Sequence, residues 1–425
     1  MVTSLLVMVA VVFTVVVTIQ AAYTVYLMIY TWDQPEAYAA AAAPQSFLPP
    51  EKSFTVLLPA RHEEDVIQMT IERVVRTNYP SSLVEVFVIC EVGDQGTIAK
   101  AEEKIHELEA AGLRNVQVIT FDDKPINKPH GLNVGFAHSH NEVVTIFDAE
   151  DEIHPDILNV VNTVMLEDNV RVVQAGVQLM NFDSSWYSVL NVLEYFFWFK
   201  SRLHYHAKQG MIPLGGNTVF FAREIVEAIG GWDEHNLTED ADVGIRVSVM
   251  GERVRVVYDD AYVTKEETPP TLNHFIRQRT RWSQGFLQTL RKGTWTRLPT
   301  WSQKIMALYT LGFPTFQTLL ALYVPLSVWM MLTTKLPVGL AMFLMVPFYF
   351  LMAHYFISVV GLYEFASAHN LHPSPRTPLI MALSYLPYQW VLSFASLRAF
   401  FREIRGINNW EKTKHVGAHR FEKST

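Results

Sequence analysis

The sequence predicts an α/β domain with a mostly parallel sheet, together with transmembrane and interfacial helices. Long uncharged apolar runs lie near both ends of the chain, and between them short strand-like runs alternate with helical patterns. The length of 425 residues suffices for more than one domain. We predict a transmembrane helix at 1–32, a linker at 33–52, a cytoplasmic domain at 53–297 that ends in an interfacial helix, transmembrane or interfacial helices at 298–400, and a basic cytoplasmic tail at 401–425.

The N-terminal run carries no charged side chain before Asp33. It is too long for the apolar core of a signal peptide, and no basic segment precedes it. A bilayer core needs about 20 apolar residues, and this run is long enough to supply them. We therefore expect an uncleaved membrane-spanning helix, with a buried core helix as the alternative.

The region that follows the Ala/Pro-rich linker contains the strand-like runs FTVLLP, VEVFVIC, VQVIT, EVVTIFD and VRVVQAGVQL, separated by helical patterns such as EDVIQMTIERVVRT. Strands that alternate with helices indicate βαβ units and a mostly parallel sheet. In such sheets ligands bind beyond the carboxyl ends of the strands. Acidic residues occupy these ends, because Glu91 and Asp94 follow the second run and the DAED turn, from Asp148 to Asp151, follows the fourth.

The DAED turn places several carboxylates close together. Crowded like charges are unfavourable unless a cation neutralises them. Mg²⁺ binds one or two carboxylates together with phosphate oxygens, so this turn is a candidate site for a divalent cation on a phosphorylated ligand. A solvated acidic turn is the alternative.

A second acidic group, NLTEDADVGIR, spans Asn236 to Arg246. Thr238 is placed to cap a helix, and Asp240 then lies in the first turn, where the helix dipole favours an ionised carboxylate. An ionised carboxylate can accept a proton. The alternative is that these acidic residues only complement a helix N-terminus.

The stretch HFIRQRTRWSQGF lies shortly before the apolar C-terminal region. If it is helical, Gln278, Arg281 and Trp282 share one face, at positions i, i+3 and i+4. Arginine suits phosphate, and tryptophan offers a flat surface to a sugar ring. Arg277 and Arg279 lie elsewhere on the helix and are expected at anionic lipid headgroups. A plain membrane anchor is the alternative for the whole stretch.

Two more apolar stretches of spanning length follow, and a third, LIMALSYLPYQWVLSFASL, is shorter and interrupted by Pro387. Basic residues in the tail place it in the cytoplasm by the positive-inside tendency, and the charged region at 51–300 is expected on the same side. A full crossing at 378–397 would place the tail outside. We therefore expect an interfacial or re-entrant segment there.

Composition argues against a nucleic-acid-binding protein and against a disulfide-linked one. The net charge of −8 gives no basic signal for nucleic acid, so no nucleic-acid partner is expected. Cys90 is the single cysteine, so no intrachain disulfide forms.

His204 and His206 are expected at the surface. The aromatic-rich stretch that begins at Trp186 is expected at the membrane interface, along an acceptor tunnel, or in the core.

The acidic and basic motifs are far more specific as an ordered set. In chain order, Glu91, DAED, LGGNTVFF, GGWDE…TEDADVG and QRTRW, followed by membrane helices, resemble the family 2 glycosyltransferases, in particular the membrane-embedded cellulose, hyaluronan and poly-N-acetylglucosamine synthase-like group. The resemblance covers about residues 53–290 and extends more loosely to NNWEKTKH, which it suggests is a lid over the site. A basic juxtamembrane tail is the alternative for NNWEKTKH.

The resemblance implies a GT-A type nucleotide-sugar-binding domain, a UDP-sugar donor, and Mg²⁺ or Mn²⁺ as cofactor. The expected activity is inverting transfer of the sugar to a growing polysaccharide, with β-linkages formed at the cytoplasmic face of the cell membrane. A single transfer to a lipid acceptor is the alternative. The lipid bilayer is an expected partner, and a homo-oligomer or a secretion partner is left open. A transporter or receptor is the alternative from another class, with His354 as its main intramembrane polar residue.

The same resemblance assigns roles to individual residues. Asp240 matches the catalytic base, and attack from the face opposite the leaving diphosphate inverts the anomeric centre. Asp148, with Glu150 or Asp151, matches the metal site, where the family motif is commonly D-x-D rather than DAED. The first loop carries Arg61 and His62 where many relatives have tyrosine and asparagine. The residues expected to bind substrate are Ala60, Arg61, Glu63, Glu91, Lys128, Asp148, Gly216, Asn217, Glu239, Gln278, Arg281 and Trp282.

Overall fold

The computed structural model describes residues 2–411. Most of the predicted basic tail, including Lys412, Lys414 and Arg420, lies outside the described residues. The strands are β1 (Phe54–Ala60), β2 (Val84–Glu91), β3 (Val116–Phe121), β4 (Val143–Ile146), β5 (Val172–Ala175), β6 (Val177–Leu179), β7 (Val219–Ala222), β8 (Val254–Val257) and β9 (Thr264–Glu266). The helices are α1 (Val2–Asp33), α2 (Pro35–Ala39), α3 (Ile67–Val75), α4 (Gln95–Ala110), α5 (Lys128–His138), α6 (Ile157–Glu167), α7 (Ser188–Phe197), α8 (Leu203–Gln209), α9 (Arg223–Ile229), α10 (Glu239–Val249), α11 (Leu272–Lys292), α12 (Trp301–Thr333), α13 (Val338–Leu344), α14 (Val346–Ala368) and α15 (Thr377–Ile404).

The central sheet has seven strands in the order β3-β2-β1-β4-β7-β5-β8. All neighbouring strands are parallel except β7, which runs antiparallel between β4 and β5. A separate two-stranded sheet pairs β6 with β9 in parallel. The mostly parallel sheet predicted from the alternating pattern is therefore confirmed.

Helices cover both faces of the sheet. Val56 and Leu58 of β1 belong to the core on the side of α3, α4 and α6, whereas Leu57 belongs to the core on the side of α5, α9 and α10. Strands buried on both faces read as continuous apolar runs, which explains FTVLLP and VEVFVIC. This arrangement leaves the edge at the carboxyl ends of the strands open for a site.

Three helical stretches of the described residues are long and apolar enough to cross a membrane: Leu6–Asp33, Trp301–Thr333 and Val338–Ala368. Helix α1 packs against both α12 and α14. Many apolar side chains on these helices face outward, such as Ile19, which is 65% exposed. Such surfaces suit contact with lipid tails.

The segment predicted to be interfacial or re-entrant forms one continuous helix, α15, which packs along α11 and α12. Its outer side exposes Leu383 and Trp390, while Tyr388 and Leu392 are buried beneath it. Helix α15 therefore has one apolar face toward the protein and a second apolar surface free for the bilayer.

Two expectations about side-chain location were wrong. His204 and His206 are buried rather than at the surface, and burial lowers the pKa of His206 to about 4. Arg279 does not face lipid headgroups, because it pairs with Glu194 of α7 at 2.5 Å between Nη2 and Oε2. Arg277, on another face of α11, is exposed.

Candidate active site

A pocket of about 210 Å³ lies at the carboxyl ends of β1, β2 and β4, beside the start of β7. The parallel strands bring their C-terminal loops to this one edge, as the sequence predicted. Glu266 of β9, Trp410 and Tyr195 complete its wall. The predicted site residues that line it are Ala60, Arg61, Glu63, Glu91, Lys128, Asp148, Glu150, Gly216, Asn217, Glu239, Asp240, Gln278, Arg281 and Trp282.

Asp151 is the predicted residue that does not line this pocket. Its carboxylate is fully buried and accepts a hydrogen bond from the backbone N–H of Asp148 at 2.8 Å. It also accepts from the Asn217 amide, with oxygens at 2.8 and 3.0 Å from Nδ2. Asp151 therefore braces the DAED turn, and this leaves Asp148 and Glu150 as its pocket-facing carboxylates.

Glu266 is a further acidic residue of the pocket that was missed in the sequence. The Asn217 amide donates to Glu266 Oε1 at 2.5 Å, so one amide links two buried carboxylates. Burial, together with the charges of Asp148 and Glu150, raises the pKa of Glu266 to about 8. The three-residue strand β9 gives no periodic signal, and only its pairing with β6 places Glu266 here.

Lys128 is the cation at the centre of these carboxylates. Its Nζ lies 2.5 Å from Asp148 Oδ1, 3.4 Å from the Gly216 carbonyl and 3.8 Å from Glu239 Oε1. Burial would lower the pKa of Lys128, but Asp148 and Glu239 outweigh it and raise the pKa. Asn127 positions the lysine by capping α5, since its side chain accepts from the His130 N–H at 3.0 Å.

The TED motif begins α10, with Thr238 at the N-cap position. In the part of the chain that the structure describes, the Thr238 side chain accepts no hydrogen bond from the first turn of α10, contrary to the expected cap. Its hydroxyl instead lies 3.4 Å from Asn236 Oδ1. Burial raises the pKa of Asp240, and it raises the pKa of Glu239 to about 7.

Gly216 adopts φ 78°, and a Cβ added there would lie 3.3 Å from Asp240 Oδ2. The Gly216 loop is thus close against the carboxylate of Asp240.

Helix α11 presents Gln278, Arg281 and Trp282 to the pocket together, as their spacing predicted. Among the described residues, Gln278 Oε1 and Arg281 Nε are buried without a hydrogen-bond partner. The Arg281 guanidinium stacks on the Trp410 ring at 4.3 Å. Arg279 lies against the ring of Trp282 at 4.7 Å, so its role is to hold the tryptophan in place. Buried polar atoms without partners indicate a ligand with complementary groups.

The residues of the pocket fit a divalent cation that is bound together with a phosphorylated ligand. Within residues 2–411, no three His, Cys, Asp or Glu side chains are arranged to hold a metal on their own. Mg²⁺ and similar ions need only one or two carboxylates when phosphates supply the other oxygens. Asp148 and Glu150 provide these. Burial first, and then the negative charges of these two residues, raise the pKa of Glu266, and a cation bound here would relieve those charges.

A second cavity, of about 290 Å³, lies next to the first, among the helices. The two share Tyr195, Gly215, Thr238, Asp240 and Trp282. The walls of the second cavity come from α1, α7, α8, α11, α12, α14 and α15, and most of the side chains are apolar or aromatic. The aromatic-rich stretch contributes to this cavity and to the core, since Tyr195 and Trp198 line the cavity whereas Tyr187 and Phe196 belong to a core cluster.

A family model described as glycosyltransferase like family 2 matches residues 49–285. A probable glycosyltransferase of Bacillus subtilis (strain 168), YdaM, is 28% identical over 247 residues, covering 54% of this chain and 54% of that protein. The beta-monoglucosyldiacylglycerol synthase of Trichormus variabilis is 25% identical over 242 residues, covering 55% of this chain and 49% of that protein. The chain therefore spans about half the length of these curated relatives.

Among solved structures, the mannosyltransferase PcManGT from Pyrobaculum calidifontis, in complex with GDP-Man and Mn²⁺, superposes with a TM-score of 0.54. Sequence identity is 18%, and the match covers 94% of this chain and 99% of that one. This likeness confirms the predicted fold, a GT-A type α/β domain with associated membrane-type helices.

Proposed function

The chain belongs to the glycosyltransferase-like family 2, and from this premise we propose that it transfers a sugar, with inversion, from a UDP-sugar to an acceptor hydroxyl. The donor occupies the pocket at the strand ends. The acceptor enters through the cavity among the membrane-type helices. Transfer takes place at the cytoplasmic face of the cell membrane and forms a β-linkage.

Asp240 and Trp282 line both cavities, and this shared boundary is the observation that carries this proposal. A reaction between two substrates needs one place that both can reach. Asp240 borders both spaces, whereas Glu91, Lys128 and Asp148 border only the donor side. This division separates a site for a polar, charged donor from a site for a less polar acceptor.

The residues of the donor pocket suit a leaving diphosphate. Lys128 and Arg281 stabilise the charge that grows as the sugar–phosphate bond breaks. Asp148 and Glu150 would hold a divalent ion, Mg²⁺ or Mn²⁺, which neutralises diphosphate charge when bound. Trp282 supports the sugar ring at the boundary between the cavities.

Asp240 acts as the base in this proposal. Its carboxylate accepts the proton of the acceptor hydroxyl as that oxygen forms a bond to the anomeric carbon. Burial raises the pKa of Asp240, which makes it a stronger proton acceptor than an exposed aspartate. Attack from the side opposite the diphosphate converts an α-linked donor into a β-linked product.

Two acceptor classes fit the cavity. A growing polysaccharide is the first candidate, because the sequence resembles the membrane-embedded polysaccharide synthases. A lipid is the second candidate, and the apolar lining favours it, since Leu193, Phe286 and Leu392 face a space between membrane-type helices. One relative is also named as a synthase of a glucosyldiacylglycerol, which is a lipid product.

The test uses the purified chain in lipid nanodiscs with a panel of radiolabelled UDP-sugars. Asp240→Asn is expected to lower transfer by at least about 100-fold while UDP-sugar still binds, because proton acceptance contributes about that much. Glu227→Gln, at an exposed position on α9, is the matched control and retains activity. Full turnover by Asp240→Asn would contradict the role of the base. Separation of the products distinguishes a polymer ladder from a single glycolipid.

A further inference from the structure

The second cavity, among the membrane-type helices, contains a cation that forms no ion pair within residues 2–411. Arg202 lines this cavity but not the donor pocket. Its Nε is buried and has no hydrogen-bond partner, and within residues 2–411 no carboxylate lies in ion-pair distance of its guanidinium. Burying an unpaired charge is costly, so such a group indicates an anionic ligand.

Within residues 2–411, the other charged groups of the cavity form no ion pair with Arg202. Glu194 interacts electrostatically with Arg202, but its ion pair is with Arg279, at 2.5 Å. Asp240 lies at the junction with the donor pocket. Tyr309 of α12 and His354 of α14 interact electrostatically with Arg202, which places the guanidinium deep among the membrane-type helices. The cavity lining thus carries Arg202 and Arg279 against Glu194 and Asp240, and of the two cations it is Arg202 that lacks an ion pair within residues 2–411.

The local backbone at Arg202 is unusual as well. Trp198–Arg202 forms a π-helical turn between α7 and α8. Such turns are uncommon in proteins and occur frequently at functional sites. This turn brings Trp198, Phe199 and Arg202 to the cavity wall together.

Arg202 and Tyr195 lie on one continuous helical stretch, in which Tyr195 borders both cavities and Arg202 follows it by seven residues. A helical rise of 1.5 Å per residue separates their backbone positions by about 10 Å. Arg202 therefore lines a part of the second cavity that does not border the donor pocket.

We propose that Arg202 binds the phosphate of the acceptor, and that the acceptor is an anionic glycerophospholipid with a hydroxyl in its headgroup, such as phosphatidylglycerol. This inference rests on the proposed function and specifies its acceptor. The headgroup hydroxyl reaches Asp240, the phosphodiester lies at Arg202, and the acyl chains occupy the apolar remainder of the cavity. Arginine matches phosphate through charge-assisted, bidentate hydrogen bonds.

The transfer balances without another reactant. The headgroup oxygen forms a bond to the anomeric carbon, and the bond from that carbon to the diphosphate of the donor breaks. The hydroxyl proton passes to Asp240, and the diphosphate leaves with the bonding electrons. The phosphodiester of the lipid is unchanged.

The first test compares acceptors with the full-length chain in phosphatidylcholine nanodiscs. These contain equal fractions of phosphatidylglycerol, of uncharged diacylglycerol, or of a polyprenyl-diphosphate sugar. We expect kcat/KM for phosphatidylglycerol to exceed that for diacylglycerol by at least about 10-fold, the effect of one charged hydrogen bond. Equal or better use of diacylglycerol, preference for the polyprenyl acceptor, or a polymer ladder each overturns the inference.

The second test changes the cation. Arg202→Gln is expected to raise KM for phosphatidylglycerol by about 10- to 100-fold, more than it lowers kcat. Arg202→Lys keeps the charge and is expected to retain much of the affinity. Lys208→Gln removes an exposed cation from α8, outside the cavity, and serves as the matched control. An unchanged KM in Arg202→Gln contradicts the inference.

The two proposals fail in different ways. If the wild-type protein turns over no UDP-sugar with any acceptor, the proposed function is wrong. If it glycosylates diacylglycerol as well as phosphatidylglycerol, only the role of Arg202 is wrong. Should Arg202→Gln not fold, as judged by thermal unfolding, the lipid preference of the wild-type protein still decides the question.

Discussion

Lys128 is the residue on which the charge balance of the donor pocket depends. It lies 2.5 Å from Asp148 and 3.8 Å from Glu239, and Asp240 also interacts with it electrostatically. The side chains of Lys128 and Asp148 are 17% and 29% exposed, so removing the lysine leaves the carboxylates uncompensated at a cost below the about 3–5 kcal/mol of a fully buried pair. Lys128→Met is therefore expected to lower the thermal stability of the donor-free protein and to abolish measurable UDP-sugar transfer.

The matched control for this prediction is Lys100→Met on α4. Lys100 also pairs with a carboxylate, Glu103 at 2.7 Å, but both side chains are largely exposed. Exposed ion pairs contribute little to stability, so both unfolding temperature and activity should stay near those of the wild type. Equal losses of unfolding temperature and of UDP-sugar transfer in Lys128→Met and Lys100→Met would contradict this role of the charged network around Lys128.

Most residues that line the pocket at the strand ends could be predicted from the sequence, because motifs at strand ends are local features. The prediction fails where the answer depends on distant partners. The sequence of α11 alone indicates a lipid contact for Arg279, whereas its partner Glu194 comes from α7. Glu266 was missed for the same reason, since Asn217 and strand β6 bring it to the pocket.

Helix α11 is the element that joins donor and acceptor sites, and its distance from α10 is set by one glycine. A Cβ at Gly285 would lie 2.3 Å from Thr238 Oγ1 and 2.5 Å from the Thr238 backbone nitrogen. Gly285→Ala must therefore push α11 away from the TED motif. We expect a loss of about 1–3 kcal/mol of stability from overpacking and at least a 10-fold loss of activity, since about 1 Å of misplacement can cost 100-fold.

Gly96→Ala on α4 is the control for this prediction. The nearest atom to its added Cβ is Glu64 Cδ at 3.7 Å, which is an ordinary contact. Unfolding temperature and UDP-sugar transfer measured on both variants test the argument. If Gly285→Ala retains full activity, the spacing of α10 and α11 is not critical.

At the level of elements, the sequence predicted the parallel strands because runs buried on both faces are continuous and apolar. It did not predict that β7 is antiparallel. That strand has four residues, and its direction is fixed by pairing with β4 and β5 rather than by its own sequence. The π-helical turn at Trp198–Arg202 was not predicted either, and it packs against α1, which is far from it in the chain.

At the scale of the whole molecule, the contacts of the membrane-type helices place several helix ends beside the α/β domain. Trp32 at the end of α1 donates to Glu364 of α14 at 3.0 Å, and Glu364 also pairs with Lys200 at 2.7 Å. Gln303 at the start of α12 donates to the Gln209 carbonyl at 3.0 Å. After α15, the Ile407 carbonyl accepts from Gln284 of α11 at 2.8 Å. The chain is therefore on the domain side at the end of α1, at the start of α12, near the end of α14 and after α15.

In the C-terminal half of the chain, these contacts leave the linker between α12 and α13 at the end of the membrane-type helices that lies away from the α/β domain. Lys335 lies in this linker and is exposed, while Ser374, between α14 and α15, is exposed on the domain side. The orientation with a cytoplasmic domain is a prediction from charge. In that orientation, only position 335 of the two faces the cell exterior.

Cysteine labelling in intact cells tests this prediction. Cys90 is the single cysteine and is buried, so Cys90→Ala provides a background without reactive thiols. On that background, Lys335→Cys should react with a membrane-impermeant maleimide from outside, whereas Ser374→Cys should react only after the cells are permeabilised. Asn408→Cys, after α15, should behave like position 374 if α15 lies along the interface, because Asn408 contacts Gln288 of α11. External labelling at 408 but not at 374 would show that α15 crosses the bilayer, and the reverse pattern at 335 and 374 would invert the whole orientation.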